Sequence, residues 1–209
     1  MTKQELRQEI RRRKAACPIE KQAALSALIT ARLQQHPRWS SARTVLLYHS
    51  LPDEVNTHHL ISESLEQGKC VLLPVVVGDD LELREFPYQS SIIRSAPRDA
   101  LRLKNHQSPS LREGAFHILE PTGPLFTDYD AIDLAVIPGV AFTLNGRRLG
   151  RGRGYYDRLL ARLNNLQSSI INHQSLYTLG LAFPFQILDD LPTEPHDIKL
   201  DEVITIETI

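Results

Sequence analysis

The chain has 209 residues, 42% of them hydrophobic and 23% charged, with a formal net charge of −1. That length supports one full core with at most a small lobe, and the near-neutral charge excludes a global basic field for nucleic acid. No run reaches the ~18 apolar residues of a membrane span, and Cys17 and Cys70 are too few and too far apart for a thiolate metal site.

In chain order, Thr2 and Glu5 have capping-box spacing, which predicts a helix from Lys3. Leu6 and Ile10 give it a thin apolar stripe, and Lys3, Arg7 and Arg11 to Lys14 make its other faces basic. A second helix is predicted after Pro18, ending near His36-Pro37, with Leu25, Leu28 and Leu33 inward. Val45 to Tyr48 reads as a buried strand, and Asn56 to Glu66 as a helix closed by Gly68. Val71 to Val77 is a second strand, turned by Gly78-Asp79-Asp80 into the alternating Leu81-Glu82-Leu83. Ser90 to Leu111 has no period and reads as a loop excursion, whereas Phe116 to Leu119 and Leu134 to Ile137 are short apolar runs. Asn145-Gly146 signals a tight turn, and Leu179 to Ala182 and Val203 to Ile206 are the last strands.

Apolar strands alternating with helices predict an α/β fold: a three-layer, Rossmann-like open sheet, mostly parallel, with helices on both faces. The absence of repeats and linkers predicts one domain over 1–209. The N-terminal segment lacks the apolar stretch of a secretory signal, and the two cysteines are expected as reduced thiols in a cytoplasmic protein.

Chemistry concentrates in Pro138 to Leu160, PGVAFTLNGRRLGRGRGYYDRLL. Gly150, Gly152 and Gly154 alternate with Arg151 and Arg153, and an amphipathic pattern through Tyr155, Leu159, Leu160 and Leu163 follows at once. Glycine lets successive N–H groups converge on one anion, and a helix starting near Tyr155 adds its positive end. Arg147, Arg148, Arg151, Arg153 and Arg158 offer guanidinium forks for phosphate, and Asp157 is an acid suited to Mg²⁺ on the same phosphates. A solvated Arg/Gly turn or an RNA-binding segment is the alternative; the flanking strand and helix patterns favour a structured phosphate loop. The spacing matches neither the dinucleotide fingerprint nor a Walker A loop, so the loop alone does not identify the phosphate.

Beyond this loop, Lys3 with Leu6-Arg7, Glu54-Val55-Asn56-Thr57, Ile118-Leu119-Glu120-Pro121, Gly180 to Phe183, Gln186, Leu191-Pro192 and His196-Asp197 occur in a telling order. With Pro138 to Asp157 they make the chain resemble the 5-formyltetrahydrofolate cyclo-ligase family over almost its whole length. The resemblance implies an ATP- and Mg²⁺-dependent closure of 5-formyltetrahydrofolate to 5,10-methenyltetrahydrofolate, with release of ADP and phosphate. It places ATP contacts on Lys3, Arg7, Arg148, Leu149, Gly150, Arg151, Gly152, Arg153, Gly154, Tyr155 and Tyr156. Folate contacts fall on Glu54, Arg151, Gly152, Arg153, Gly154 and Tyr155, and the metal falls on Asp157 and Asp197. Arg151 and Tyr155, between nucleotide and folate, are the expected catalytic residues, and Glu120 is a weaker site candidate. The expected partners are the two substrates, without nucleic acid or membrane, and the expected state is a monomer.

Two positions depart from the family pattern. Thr143 stands where many members have Asp, which weakens a metal role there, and Arg153 stands where a small residue or Lys is common. Without the resemblance, Lys3 and Arg7 read as a surface helix face, Asp157 as a helix-dipole partner and Asp197 as a turn cap. The competing functions are a sugar-phosphate or coenzyme A enzyme on a related scaffold, and a non-catalytic nucleotide- or folate-binding module. His58-His59 point about 100° apart on a helix and make no shared metal face.

Overall fold

The computed structural model describes residues 1–86, 111–114, 119–167 and 176–206. The predicted loop over Ser90 to Leu111 and the first residues of the Phe116 run therefore lie mostly outside the described residues.

Helix α1 (Lys3–Ala15) starts in the expected capping box: Glu5 N–H donates to Thr2 Oγ1 at 3.2 Å, and Thr2 N–H to Glu5 Oε2 at 2.7 Å. Helix α2 (Ile19–Gln34) follows Pro18, and Pro37 opens a short helix, α3 (Pro37–Ser41). Strand β1 (Thr44–Leu46) leads through a loop to α4 (His58–Glu66), and the chain continues with β2 (Cys70–Val77) and β3 (Asp80–Glu85). A small ribbon, β4 (Leu111–Glu113) with β5 (Leu119–Pro121), precedes β6 (Leu134–Ile137). The hairpin β7 (Ala141–Phe142) and β8 (Arg148–Leu149) turns at Gly146, φ +94°. Helix α5 (Tyr155–Gln167), β9 (Tyr177–Leu181) and β10 (Glu202–Ile204) complete the described chain.

The main sheet has the order β10-β9-β6-β1-β2-β3, parallel throughout except for the antiparallel edge strand β3. Alternation explains the layers. Side chains along a strand point to opposite faces, so Val45, Leu47, Val71, Leu73, Leu134 and Val136 pack with α2, α3 and α4. Their neighbours Leu46, Leu72, Ala135 and Ile137 pack with Leu159, Leu160 and Leu163 of α5. A third, smaller core joins Leu6 and Ile10 of α1 to Ala141, Leu149 and Leu191. That contact fixes α1 against the β7–β8 hairpin.

Some expectations shift. Leu28 is 54% exposed, and Ser26 and Ile29 with Leu33 form the inner face of α2 instead. Helix α4 begins at His58, not Asn56, because the Asn56 side chain accepts the His58 N–H at 2.9 Å and sits just before the helix. Both cysteines are free thiols. No helix among the described residues is long and apolar enough to cross a membrane.

Candidate functional site

From β1 the chain moves to β2 on one side, and β6 takes the other side of β1. The carboxyl ends of β1 and β6 therefore frame a topological switch point, where open α/β sheets hold their ligands. A cavity of about 670 Å³ lies there, walled by Tyr48, His49, Leu51 and Glu54 after β1 and by Pro138 and Gly139 after β6.

The loop after β1 is fixed by its own side chains. Thr57 Oγ1 donates to Tyr48 O at 2.5 Å, Thr57 N–H donates to Ser50 Oγ at 3.1 Å, and Tyr48 Oη donates to Val55 O at 3.2 Å. Glu54 Oε2 accepts the Leu51 N–H at 3.0 Å, which aims the carboxylate inward with 9% of its side chain exposed. Burial raises the Glu54 pKa above its ordinary value, against the opposing pull of the Leu51 N–H and Arg151. Burial, and after it the same acid, raises the phenol pKa of Tyr48 and Tyr156.

The glycine- and arginine-rich loop expected to hold phosphate runs from β8 into α5. Gly152 (φ +97°) and Gly154 (φ +69°) occupy the left-handed region that favours glycine. A Cβ on Gly152 would also lie 3.3 Å from Arg7 Nη2. Arg7 Nε donates to Gly150 O at 2.9 Å, so α1 grips the loop directly. Lys3, one turn earlier, pairs with Asp197 at 2.7 Å and Glu194 at 3.1 Å. Burial pushes Asp197 up, but the Lys3 ammonium and the Glu194 N–H outweigh it and hold the carboxyl below its ordinary value.

Three arginines of this stretch, Arg148, Arg151 and Arg153, line the cavity. Arg148 is held inward, with Nη2 2.8 Å from Asp157 Oδ1, Nη1 3.2 Å from Pro138 O, and a buried Nε that has no partner among the described residues. Arg151 bridges Asp53 at 2.5 Å and Glu54 at 3.1 Å. Arg147 pairs with Asp190, and Arg158 pairs with Asp80 at 3.3 Å while sitting over the Tyr155 ring. Neither lines the cavity, so these two of the five expected phosphate forks are directed elsewhere.

The residues that the resemblance places at the site all line this one cavity: Lys3, Arg7, Glu54, Arg148 to Tyr156, Asp157 and Asp197. The two acids also serve local structure. Asp157 lies in the first turn of α5, and Asp197 caps its own turn by accepting the Glu194 N–H at 2.7 Å. The donor set nonetheless suits a hard divalent cation, because Asp157 Oδ2 and Asp197 Oδ1 accept no hydrogen bond among the described residues. Glu194, His196 and Asp197 bring their ligand atoms within 4.8 Å of one another, a grouping that does not include Asp157. Thr143, at the departing position, is spent on the hairpin turn: its Oγ1 donates to Asn145 Oδ1 at 2.5 Å and accepts the Arg147 N–H at 3.0 Å.

Sequence reasoning passed over Asp53 and Glu194, gave His196 no role beyond the resemblance, and missed the stacking of His49 on His58, with ring centroids 4.0 Å apart. Asp53 and Glu194 are adjacent to or near expected residues and were open to inspection as charge partners. The histidine pair joins a strand end to a helix start and leaves no local signal.

A model of the 5-formyltetrahydrofolate cyclo-ligase family matches residues 1–206. A 5-formyltetrahydrofolate cyclo-ligase of Mus musculus is 31% identical over 205 residues, 97% of this chain and 92% of the relative. One from Escherichia coli K12 is 32% identical over 200 residues, 94% and 96% of the two chains. The solution structure of Aquifex aeolicus 5,10-methenyltetrahydrofolate synthetase superposes with a TM-score of 0.73 at 30% identity, covering 98% of this chain and 90% of that one.

Proposed function

The chain belongs to the 5-formyltetrahydrofolate cyclo-ligase family, and from that premise we propose that it closes 5-formyltetrahydrofolate to 5,10-methenyltetrahydrofolate at the expense of ATP, as a single-domain cytoplasmic monomer. The observation that carries the reading is the convergence of the phosphate loop, the α1 cations and the acid Glu54 on one cavity.

The chemistry explains the nucleotide. The N5-formyl group is an amide, and N10 attacking it must expel oxygen, a poor leaving group. Transfer of the γ-phosphoryl group to the formyl oxygen lets that oxygen leave as phosphate. N10 then forms the new C–N bond, its proton is lost, and departure of phosphate gives the amidinium ring. No protein nucleophile takes part, so the chain supplies position and charge.

The backbone of Gly150 to Gly154 and the start of α5 cradle phosphate, and Lys3, Arg7, Arg148 and Arg151 neutralise its charge. Lys3 and Arg151 are paired with Asp197 and Glu54 in this structure, so entry of phosphate replaces acid partners already in place. Arg151 and Tyr155 stand where nucleotide and folate meet, and Glu54 takes an N–H of the folate. Asp157 and Asp197 would hold Mg²⁺, which when bound shields the charge of the phosphate oxygens. The test is purified protein with 5-formyltetrahydrofolate, ATP and Mg²⁺, followed by methenyl absorbance.

A further inference from the structure

Glu120 is 3% exposed, yet it lines the cavity. It belongs to β5, whose ribbon packs on β2, and its Oε1 accepts the Val76 N–H at 3.1 Å. No cation among the described residues pairs with it. Strand β2, whose Val76 N–H it accepts, also contributes Pro74 and Val76 to the cavity lining, and β3 contributes Leu81. The chain makes room for this carboxylate: a Cβ on Gly114 would fall 2.0 Å from Glu120 Oε2. A carboxylate buried beside one backbone N–H is poorly compensated and calls for further donors.

We propose that Glu120 is a second folate-binding acid, which receives the 2-amino-4-oxo edge of the pterin. That edge presents the ring N3–H and the 2-amino group side by side, and a carboxylate accepts such a pair through both oxygens. Glu54 is already engaged by Arg151 of the phosphate loop, at 3.1 Å, so it belongs to the reacting side of the folate. Glu120 is supplied by a different element and leaves the other edge of the ring to be read. The remaining ligands do not suit it. Phosphate is repelled by an acid, and neither the proposed metal pair, Asp157 and Asp197, nor the cluster of Glu194, His196 and Asp197 includes it. Pro74, Val76 and Leu81, apolar members of the same cavity lining, suit the flat faces of the pterin.

This inference rests on the cyclo-ligase reading, and binding isotherms separate the two. Glu120→Gln should weaken 5-formyltetrahydrofolate binding roughly 10- to 150-fold, the loss of one charge-assisted contact, and leave the affinity for a non-hydrolysable ATP analogue unchanged. Wild-type protein should also lose affinity for the 2-desamino analogue of 5-formyltetrahydrofolate, whereas Glu120→Gln should lose no more on that change. The wild-type comparison needs no variant and holds even if the substitution impairs folding. Equal binding of 5-formyltetrahydrofolate by wild type and Glu120→Gln overturns the role of Glu120 alone, as does indifference of wild type to the 2-amino group. Failure of wild type to bind 5-formyltetrahydrofolate at all overturns the cyclo-ligase reading with it.

Discussion

Arg151 connects the acid assigned to folate with the loop assigned to phosphate, since its guanidinium reaches both Asp53 and Glu54. Burial alone would lower its affinity for the proton, but the two acids hold it above the ordinary value. The ligand assignments then separate by experiment. Glu54→Gln should weaken 5-formyltetrahydrofolate binding and Lys3→Ala ATP binding, each by roughly 10- to 150-fold for one charge-assisted contact. Direct isotherms are the measurement; if Glu54→Gln weakens ATP alone, the two ligands are misplaced. Asp157→Asn should lower turnover and blunt its Mg²⁺ dependence, and normal turnover at limiting Mg²⁺ removes Asp157 from the metal site. His49 gives a pH signature. Burial first, then neighbouring His58, depresses its imidazole from 6.5 to about 4. Between those values the unfolded chain binds a proton that the folded one does not, so stability present above pH 6.5 is lost as pH falls towards about 4. Urea unfolding from pH 7 to pH 4.5 should show this fall, and His49→Asn should flatten it. Equal slopes in both proteins would show that His49 is not its source.

Helix α1 carries Lys3 and Arg7 to the cavity only because its cap and its apolar stripe agree. The Thr2–Glu5 box starts the helix, and Leu6 and Ile10 seat it on Ala141, Leu149 and Leu191. Thr2→Ala should cost about 1 kcal/mol of stability, typical for a lost cap, and weaken ATP binding through a frayed first turn; chemical denaturation and ATP isotherms test the two effects separately. The cap, the stripe, the alternating strands and the Gly146 turn were legible because each is written within a few neighbouring residues. So was a structured glycine loop running into α5, because its glycines and the helix start are contiguous. Less was legible where partners come from distant segments. The outward turn of Arg147 depends on Asp190, and that of Arg158 on Asp80. Leu28 fits the helical period of α2 but points away from the sheet, because the inner stripe runs through Ser26, Ile29 and Leu33. The β4–β5 ribbon pairs two segments of three residues each, too short to show alternation.

At the scale of the whole molecule, the parallel sheet sets the chemistry in one place. Because β1 sits between β2 and β6, the loops leaving β1 and β6 part and open the cavity, and the β7–β8 hairpin delivers the phosphate loop to its rim. The third core then brings in α1 from the opposite end of the sequence. The proposal that both substrates meet in this one cavity predicts that turnover and nucleotide consumption are inseparable. The direct test is to follow methenyl absorbance and ADP together, with purified protein, 5-formyltetrahydrofolate, ATP and Mg²⁺. The account predicts one ADP for each ring closed and no product when either ATP or Mg²⁺ is withheld. Ring closure without ATP, or ATP hydrolysis unlinked to product, would contradict it.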